Sequence, residues 1–270
     1  MIAHLLQNLV SKRFAEEEHY REGHLRVVNA LPGRKVQGLH IPDMKKIATA
    51  ISRNGVTARL HNGTEVSCGN GAEVIKHFEQ EPLETLTHEE IIIWGFLLNR
   101  DKRPFAEKSA MLARYIPAID NWAVCDTFCS NALWLKRSDK NELWSFLLPY
   151  FSSTQEFEVR FAVVTSMCCL LCEEWLPTLF AQLDKIEYQE IKSKYTTCKK
   201  KPERPQQGTV QGAEPYYVRM AVAWLLATAL AKYPAHTRAY LRKCRQPEDV
   251  IKMYTRKAKD SFRTRNVAAL

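Results

Sequence analysis

The sequence predicts an all-α protein of stacked helical pairs, interrupted by one small β-hairpin near residues 56–68. Most of the chain repeats apolar residues at spacings of three and four, which is the helical period. These segments are short, similar in length and joined by short turns, so each pair can bury its apolar stripe against the next. No sharp sequence repeat is visible, and a compact multi-helix globule is the alternative fold.

The clearest helical stripe lies in "EFEVRFAVVTSMCCLL" (156–171), where apolar residues recur at Phe157, Phe161, Val164, Cys168 and Leu171. Such a stripe is typical of a helix that packs one face on a core. The same spacing predicts further helices at Met1 to Tyr20, Pro42 to Ile51, Glu89 to Leu98, Pro104 to Ile116, Trp122 to Leu135, Asn141 to Phe151, Trp175 to Leu183, Tyr216 to Lys232, Thr237 to Lys243 and Pro247 to Phe262.

Local signals mark several boundaries. Asp120 or Asn121 can cap the helix at Trp122, and Asp139 can cap the next one. In "NGVTARLHNGTEVSCGNG" (54–71), alternating residues flank Asn62-Gly63, the strongest short hairpin signal. The stretch 195–215 is rich in Pro, Gly, Gln and Lys, which predicts a mobile loop too polar to pack. We see no domain boundary and predict a single domain over residues 1–270.

Composition limits the function. The 39 Lys and Arg residues exceed the 30 Asp and Glu residues, and the sequence pI is about 9.1. This excess favours a polyanionic partner such as nucleic acid, although a basic surface can also serve solubility alone. The eight cysteines form no paired CxxC sets and no His cluster has ligand spacing, so we expect no metal and reduced thiols.

The sequence predicts no targeting or membrane segment. The N-terminal stripe is interrupted by Gln and Asn and has no small-residue cleavage site, so it is typical of an amphipathic helix. The longest apolar run, "MAVAWLLATALA" (220–231), is shorter than the roughly 20 residues that span a bilayer. We expect a soluble intracellular protein in the cytoplasm.

Four residues are candidates for chemistry. Trp122 and Asp126 are four apart and share a helix face, which the pattern places on the apolar side, where an unpaired acid is costly. Arg160 flanks the stripe of its helix, and its guanidinium is expected to project from that flank. Trp224 lies in a strongly apolar helix on the face of Met220 and Thr228. An internal Asp126–Arg160 salt bridge and core-filling tryptophans are the structural alternatives.

Five segments in this order resemble the AlkD-like DNA alkylation repair family, glycosylases built from HEAT-like repeats that form an α-α superhelix. "KVQGLHIPDMKKIATAI" (35–51) and "LTHEEIIIWGFLL" (86–98) resemble its early repeats. "DNWAVCD" (120–126) resembles its tryptophan-plus-aspartate helix, "EFEVRFAVV" (156–164) its arginine segment, and "YYVRMAVAWLLATALAKYP" (216–234) its second-tryptophan helix. The resemblance covers most of the chain.

The resemblance implies a glycosylase that hydrolyses the N-glycosidic bond of positively charged N3- or N7-alkylated purines, such as 3-methyladenine and 7-methylguanine, in duplex DNA. Asp126 would stabilise the oxocarbenium-like sugar, and Trp122 and Trp224 would offer it their π faces. Arg160 would bind a lesion-strand phosphate. Two positions depart from the family: Ala123 stands where an acid often follows the first tryptophan, and Ala227 where a basic residue is common.

The resemblance also implies that duplex DNA is gripped through its backbone, without a base-reading pocket. The expected phosphate contacts are Lys45, Lys46, Arg103, Lys108 and the tail "TRKAKDSFRTR" (255–265). We expect a monomer that needs no cofactor. The alternatives are a non-catalytic relative that clamps bent or branched DNA, and a helical-repeat scaffold that binds proteins.

Overall fold

The computed structural model describes residues 2–31, 33–53, 57–68, 70–197, 205–207 and 214–267. Its contacts form two compact units, residues 1–133 and residues 134–270. Helices dominate both units, so the predicted all-α class is confirmed. The expectation of one domain over the whole chain stays a prediction.

The first unit contains eight helices and one hairpin among its described residues. These are α1 (Ile2–Gln7), α2 (Lys12–Glu16), α3 (Glu18–Val28), α4 (Ile41–Ile51), β1 (Thr57–Arg59), β2 (Glu65–Ser67), α5 (Gly71–Gln80), α6 (His88–Arg100), α7 (Phe105–Tyr115) and α8 (Trp122–Asn131). A short 3₁₀ helix covers Ile116–Ala118.

Helix α6 is the centre of this unit and packs on both α4 and α8. Helices that are not chain neighbours therefore lie side by side, as stacked helical pairs require. Every residue of α6 from His88 to Leu98 is buried. Trp94 stacks on Phe78 with ring centroids 5.6 Å apart and meets Tyr115 edge-on at 5.2 Å. A capping box between Thr87 and Glu90 fixes where α6 begins.

The N-terminal region differs from the single helix predicted over Met1 to Tyr20. It contains α1, α2 and α3, because Ser11 caps a new start by accepting from the Phe14 N–H, and Glu17 is extended between α2 and α3. Helix α3 then continues to Val28 and ends at Asn29 in the left-handed conformation. Helix α5, capped by Asn70, was not predicted.

The predicted hairpin is confirmed, and its described part begins at Thr57. Strands β1 and β2 pair antiparallel with Ala58 opposite Val66, and Gly63 adopts a φ of 85° in the connection. Ala58 and Val66 are buried while their strand neighbours are exposed, so the hairpin packs one face inward.

The second unit continues the helical pattern. Its elements are α9 (Leu133–Arg137), which begins at the boundary, α10 (Lys140–Phe151), α11 (Glu156–Cys169), α12 (Leu176–Leu183), β3 (Tyr195–Thr197), β4 (Pro205–Gln207), α13 (Tyr216–Lys232), α14 (Pro234–Leu241) and α15 (Glu248–Asp260). Short 3₁₀ helices cover Glu173–Trp175 and Tyr188–Glu190.

Helix α13 has in this unit the place that α6 has in the first, because it packs on both α11 and α15. The helix predicted from Trp122 to Leu135 is divided at Ala132, whose ψ of 61° ends α8. Asp139 caps α10 as predicted, accepting from the N–H groups of Asn141 and Glu142.

The stretch 195–215 was predicted to be a loop too polar to pack, and this is wrong for its first residue. Tyr195 is 1% exposed, and its ring lies 5.0 Å from that of Tyr217 and 6.0 Å from that of Phe157. Strands β3 and β4 pair antiparallel, and residues 198–204 and 208–213 lie outside the described residues. Within the described ranges, no helix has the length and apolar character to cross a membrane.

Candidate active site

Helix α8 carries Trp122 and Asp126, and a buried network fixes its start. The Asn121 side chain caps the helix by accepting from the N–H groups of Ala123 and Val124 at 3.0 and 3.2 Å. Its neighbour Asp120 accepts from Arg34 Nε at 2.6 Å in a pair whose side chains are 10% exposed or less. Because both residues are enclosed, the first turn of α8 has a defined position.

The network extends to His88 at the start of α6. Asn121 Nδ2 lies 3.2 Å from His88 Nδ1 and also donates to Asp120 Oδ1 at 2.8 Å. Burial lowers the pKa of His88 to about 3, and nearby His24 and Arg34 add to this effect. The imidazole is therefore neutral at neutral pH.

Trp122 and Asp126 do not lie on the buried face of α8, contrary to the prediction. That face consists of Val124, Cys125, Phe128 and Cys129, whereas Trp122 is 36% exposed and Asp126 is half-buried. The side chains at positions 124–125 and 128–129 point into the core. Those at positions 122 and 126 therefore lie at the edge of the buried face. Both side chains are consequently accessible to a ligand.

Trp122 is held in a single orientation at the wall of a cavity. Its indole Nε1 donates to the carbonyl of Val27, in the last turn of α3, at 2.9 Å. The cavity has a volume of about 720 Å³ and is lined by α3, α4 and the starts of α6 and α8. Ala123, the departure from the family pattern, is also part of its wall.

Arg160 is enclosed rather than projecting from the flank of its helix. It is 3% exposed, because all but one of the residues from Glu156 to Met167 in α11 are buried. Its Nη1 donates to the carbonyl of Tyr217 at 2.7 Å, and Glu156 accepts from the Tyr217 N–H at 2.6 Å. These contacts tie α11 to the first turn of α13.

Glu156 is the buried acid of this cluster. It also accepts from Ser193 Oγ at 2.5 Å. Burial raises the pKa of Glu156 to about 7, against the opposing effects of the Ser193 and Tyr217 hydrogen bonds and the charge of Arg160. Glu156 was not among the residues predicted from the sequence.

Trp224 lies on the half-exposed stripe of α13 together with Met220 and Thr228, as predicted. Lys257 of α15 places its ammonium 5.7 Å from the centre of the Trp224 ring. Ala227, where the family commonly has a basic residue, is buried. The cation next to this tryptophan thus comes from α15, within the basic tail 255–265 that was predicted to contact DNA.

Besides Arg160 and the basic tail, four cations were predicted to contact DNA, and they differ in accessibility. Lys45 is exposed, with its Nζ 3.0 Å from Asn131 Oδ1, and Lys46 is half-buried near Asp43. Arg103 is exposed and paired with Asp101 at 2.7 Å. Lys108 is 2% exposed, and its ammonium donates to the Asp101 carbonyl at 2.9 Å. Lys45 and Lys46 are therefore better placed for phosphate than Lys108.

Two further arginines lie near Lys45. Arg53, just after α4, lines a groove of about 310 Å³ together with Lys45, Lys46 and Thr57 of the hairpin. Burial lowers the pKa of Arg100, and the like charge of Arg53 adds to the shift. Neither arginine was predicted from the sequence. Arg100 reaches this surface from α6, and the fold alone brings it near α4.

The seven described cysteines are free thiols. Cys198 lies outside the described residues. Within the described ranges, no group of three or more His, Cys, Asp or Glu side chains is arranged to hold a metal ion.

The family model of the DNA alkylation repair enzyme matches residues 6–170, which is more than half of the chain. The chain therefore belongs to the DNA alkylation repair enzyme family and has a role in DNA alkylation repair. No curated protein and no solved structure matches it.

Proposed function

We propose that this protein is a DNA N-glycosylase that removes N3- and N7-alkylated purines from duplex DNA. Membership of the repair family supports a role in alkylation repair. The observation that carries the specific activity is the pairing on α8: Asp126 stands one turn after Trp122 on an accessible face, and a buried network fixes the start of that helix.

The chemistry requires little more than a well-placed negative charge. An N3- or N7-alkylpurine already carries a positive charge, so the base is a good leaving group and needs no strong general acid. The sugar becomes oxocarbenium-like as the bond breaks. A half-buried carboxylate at Asp126 would stabilise that cation electrostatically and orient the attacking water. The C–N bond electrons leave with the base, and water supplies the hydroxyl at C1′ and releases its other proton to solvent.

The tryptophans would add cation–π stabilisation. Trp122 cannot turn freely, because its indole N–H is bonded to Val27, so one π face has a defined direction. Such a contact with a cation contributes about 0.5–2 kcal/mol. Trp224 is assigned the same role by the resemblance, and its half-exposed ring fits that role. Arg160 enters the proposal as a positioning residue for α13 and not as a phosphate ligand, since its guanidinium is enclosed.

Binding to duplex DNA would occur mainly through phosphates. Lys45, Lys46 and Arg53 converge on one groove, and Arg100 adds a fourth charge near it. Asp43 offsets part of this charge, because its carboxylate interacts with Lys46 and His61. The remaining positive charge favours an anion. Contacts of this kind make binding dependent on salt and insensitive to base sequence. A monomer acting in the cytoplasm is the arrangement we propose.

The test compares the release of alkylated and unmodified bases from duplex DNA. Duplexes containing one 7-methylguanine, one 3-methyladenine or only unmodified bases are incubated with excess protein, and free base and abasic sites are measured. Release of both alkylated bases without release of unmodified guanine is the expected result. Salt-dependent binding of all three duplexes without release from any would contradict the glycosylase and identify a non-catalytic DNA clamp. Absence of duplex binding would favour the protein-binding scaffold.

A further inference from the structure

A lysine lies over the ring of the second candidate tryptophan. Trp224 is on the half-exposed stripe of α13, and its neighbours one turn away, Met220 and Thr228, are uncharged. The ammonium of Lys257, on α15, lies 5.7 Å from the centre of the Trp224 ring. This distance is within the range of a cation–π contact. The ring of Trp224 therefore already holds a cation in the free protein.

The helix pair fixes the backbone of Lys257 but leaves its ammonium free to move. Helix α15 packs on α13, and Val250, Tyr254 and Ala258 form the buried face of α15. Lys257 is half-buried at the edge of that face, next to Ala258. Its side chain carries a point charge on a flexible four-carbon stem. The ammonium can thus leave the ring without any movement of α15.

This contact conflicts with the proposed role of Trp224. The proposed reaction develops positive charge on the sugar, and the ring would have to offer its π face to that charge. An ammonium on the same ring repels a second cation, and the repulsion is strongest where water is excluded. Trp224 can therefore stabilise the sugar only when Lys257 has moved away from it.

Duplex DNA supplies a group that can move it. A phosphate forms a charge-assisted hydrogen bond with an ammonium, which is stronger than a cation–π contact at a half-exposed site. Phosphate binding by Lys257 also releases condensed counterions from the DNA. Two other cations of α15, Lys252 and Arg256, pair with acids one turn away, at 2.7 Å from Glu248 and 3.9 Å from Asp260. Transfer of Lys257 to a phosphate, in contrast, changes the state of Trp224.

We propose that Lys257 exchanges between two partners, the ring of Trp224 in the free protein and a DNA phosphate in the complex. The exchange makes Lys257 a DNA-binding residue and opens the Trp224 ring only when a duplex is bound. The use of the opened ring rests on the proposed glycosylase, whereas the exchange itself needs only duplex binding. Because the new partner is a phosphate, the exchange belongs to a grip on the DNA backbone.

The first measurement follows the ring of Trp224 by fluorine NMR. The protein is labelled with fluorotryptophan, and the signal that Trp224→Phe removes is assigned to Trp224. Wild type and Lys257→Met are compared with and without a saturating unmodified duplex. We expect their Trp224 signals to differ in the free proteins and to coincide in the complexes, because Lys257 has then left the ring. Lys252→Met, which removes an exposed cation of the same helix, should match wild type in both states.

The second measurement is the salt dependence of duplex binding. Lys257→Met should weaken binding about three- to tenfold at low salt and reduce the slope of log K against log salt by about 1. Lys257→Arg retains the charge and should retain both the affinity and the slope. Thermal unfolding of each variant verifies that it folds.

The outcomes separate the exchange from the glycosylase. Identical Trp224 signals in the free proteins, a difference that persists in the complexes, or an unchanged salt slope in Lys257→Met each overturn the exchange. Neither measurement needs bond cleavage. A protein that shows the exchange yet releases no base is a DNA clamp, whereas one that releases alkylated bases while the difference persists is a glycosylase without the exchange. Absence of duplex binding contradicts both.

Discussion

Nδ2 of Asn121 lies 3.2 Å from Nδ1 of His88, and this contact joins the start of α8 to the start of α6. The same asparagine caps α8 through its Oδ1. One side chain therefore fixes both the helix that carries Trp122 and Asp126 and the tautomer of a buried histidine. The position of the proposed site depends on a residue that does no chemistry itself.

Replacing Asn121 by alanine is expected to cost more than the loss of an ordinary cap. An N-cap asparagine stabilises by about 1 kcal/mol, and leaving the buried His88 nitrogen and Asp120 carboxylate without this donor adds about 1–3 kcal/mol. The measurement is the free energy of unfolding in urea. Asn70→Ala is the matched control, because Asn70 caps α5 through one bond at an exposed position. Equal losses in the two variants would disprove the network.

Gly38 is expected to tolerate no side chain. It has a φ of 82°, and its N–H donates to the buried Glu89 at 2.8 Å. A Cβ there would lie 2.3 Å from the Phe14 ring. Gly38→Ala should therefore lower the free energy of unfolding by about 2–4 kcal/mol, through backbone strain and overpacking together.

Gly33→Ala separates these two causes. Gly33 has a φ of 85°, but a Cβ there meets no atom within 4 Å, so only the strain of about 1 kcal/mol applies. Urea unfolding of both variants measures the difference. A loss in Gly38→Ala no larger than that in Gly33→Ala would mean that Phe14 moves aside without cost.

Glu156 should make stability fall as pH rises. Its pKa is raised from the usual 4.5 of a glutamate to about 7 in the folded state, so the folded protein binds the proton more tightly than the unfolded chain. Its contribution is fully present below pH 4.5 and is lost as pH rises to about 7. The slope is at most about 1.4 kcal/mol per pH unit.

Glu156→Gln isolates this contribution, because the amide retains the shape without titrating. His88 has the opposite effect: its lowered pKa makes stability fall as pH decreases from 6.5 toward 3, but equally so in both proteins. The free energy of unfolding of the wild type, relative to that of Glu156→Gln, should therefore decrease between pH 4.5 and 7. A constant difference across that range is the result that excludes a raised pKa.

Arg53 is expected to contact a DNA phosphate. Arg53→Gln should weaken duplex binding equally for all base sequences and reduce the slope of log K against log salt by about 1. Lys12→Gln is the control, since Lys12 is similarly exposed but pairs with Glu16 at 3.9 Å. An unchanged salt slope in Arg53→Gln would remove this groove from the DNA-binding surface.

Sequence periodicity predicted most of the helices, and the Asn62-Gly63 signal predicted the hairpin. What it missed depends on contacts between distant segments. The faces of α8 were assigned incorrectly because Trp122 is apolar, yet its indole N–H reaches Val27 from outside the core. Arg160 is charged, yet it is buried, where its Nη1 donates to the Tyr217 carbonyl and the charge of Glu156 acts on it. Residue type alone does not reveal such partners.

The cavity was equally hidden from sequence. Tyr20 and His24 are four apart and share a helix face, which is a local signal. Their relation to His88 and Trp122 arises only when α3 folds against the starts of α6 and α8. The same holds for Lys257, whose ammonium lies near Trp224 because α15 packs on α13.

The central claim is that the carboxylate of Asp126 stabilises the departing sugar, and single-turnover release of 7-methylguanine from duplex DNA tests it most directly. Asp126→Asn keeps the shape and removes the charge, so release should slow about 100-fold or more with duplex binding retained. Glu142→Gln, at an exposed acid of α10, should release base at the wild-type rate. Release by Asp126→Asn at the wild-type rate would contradict the account.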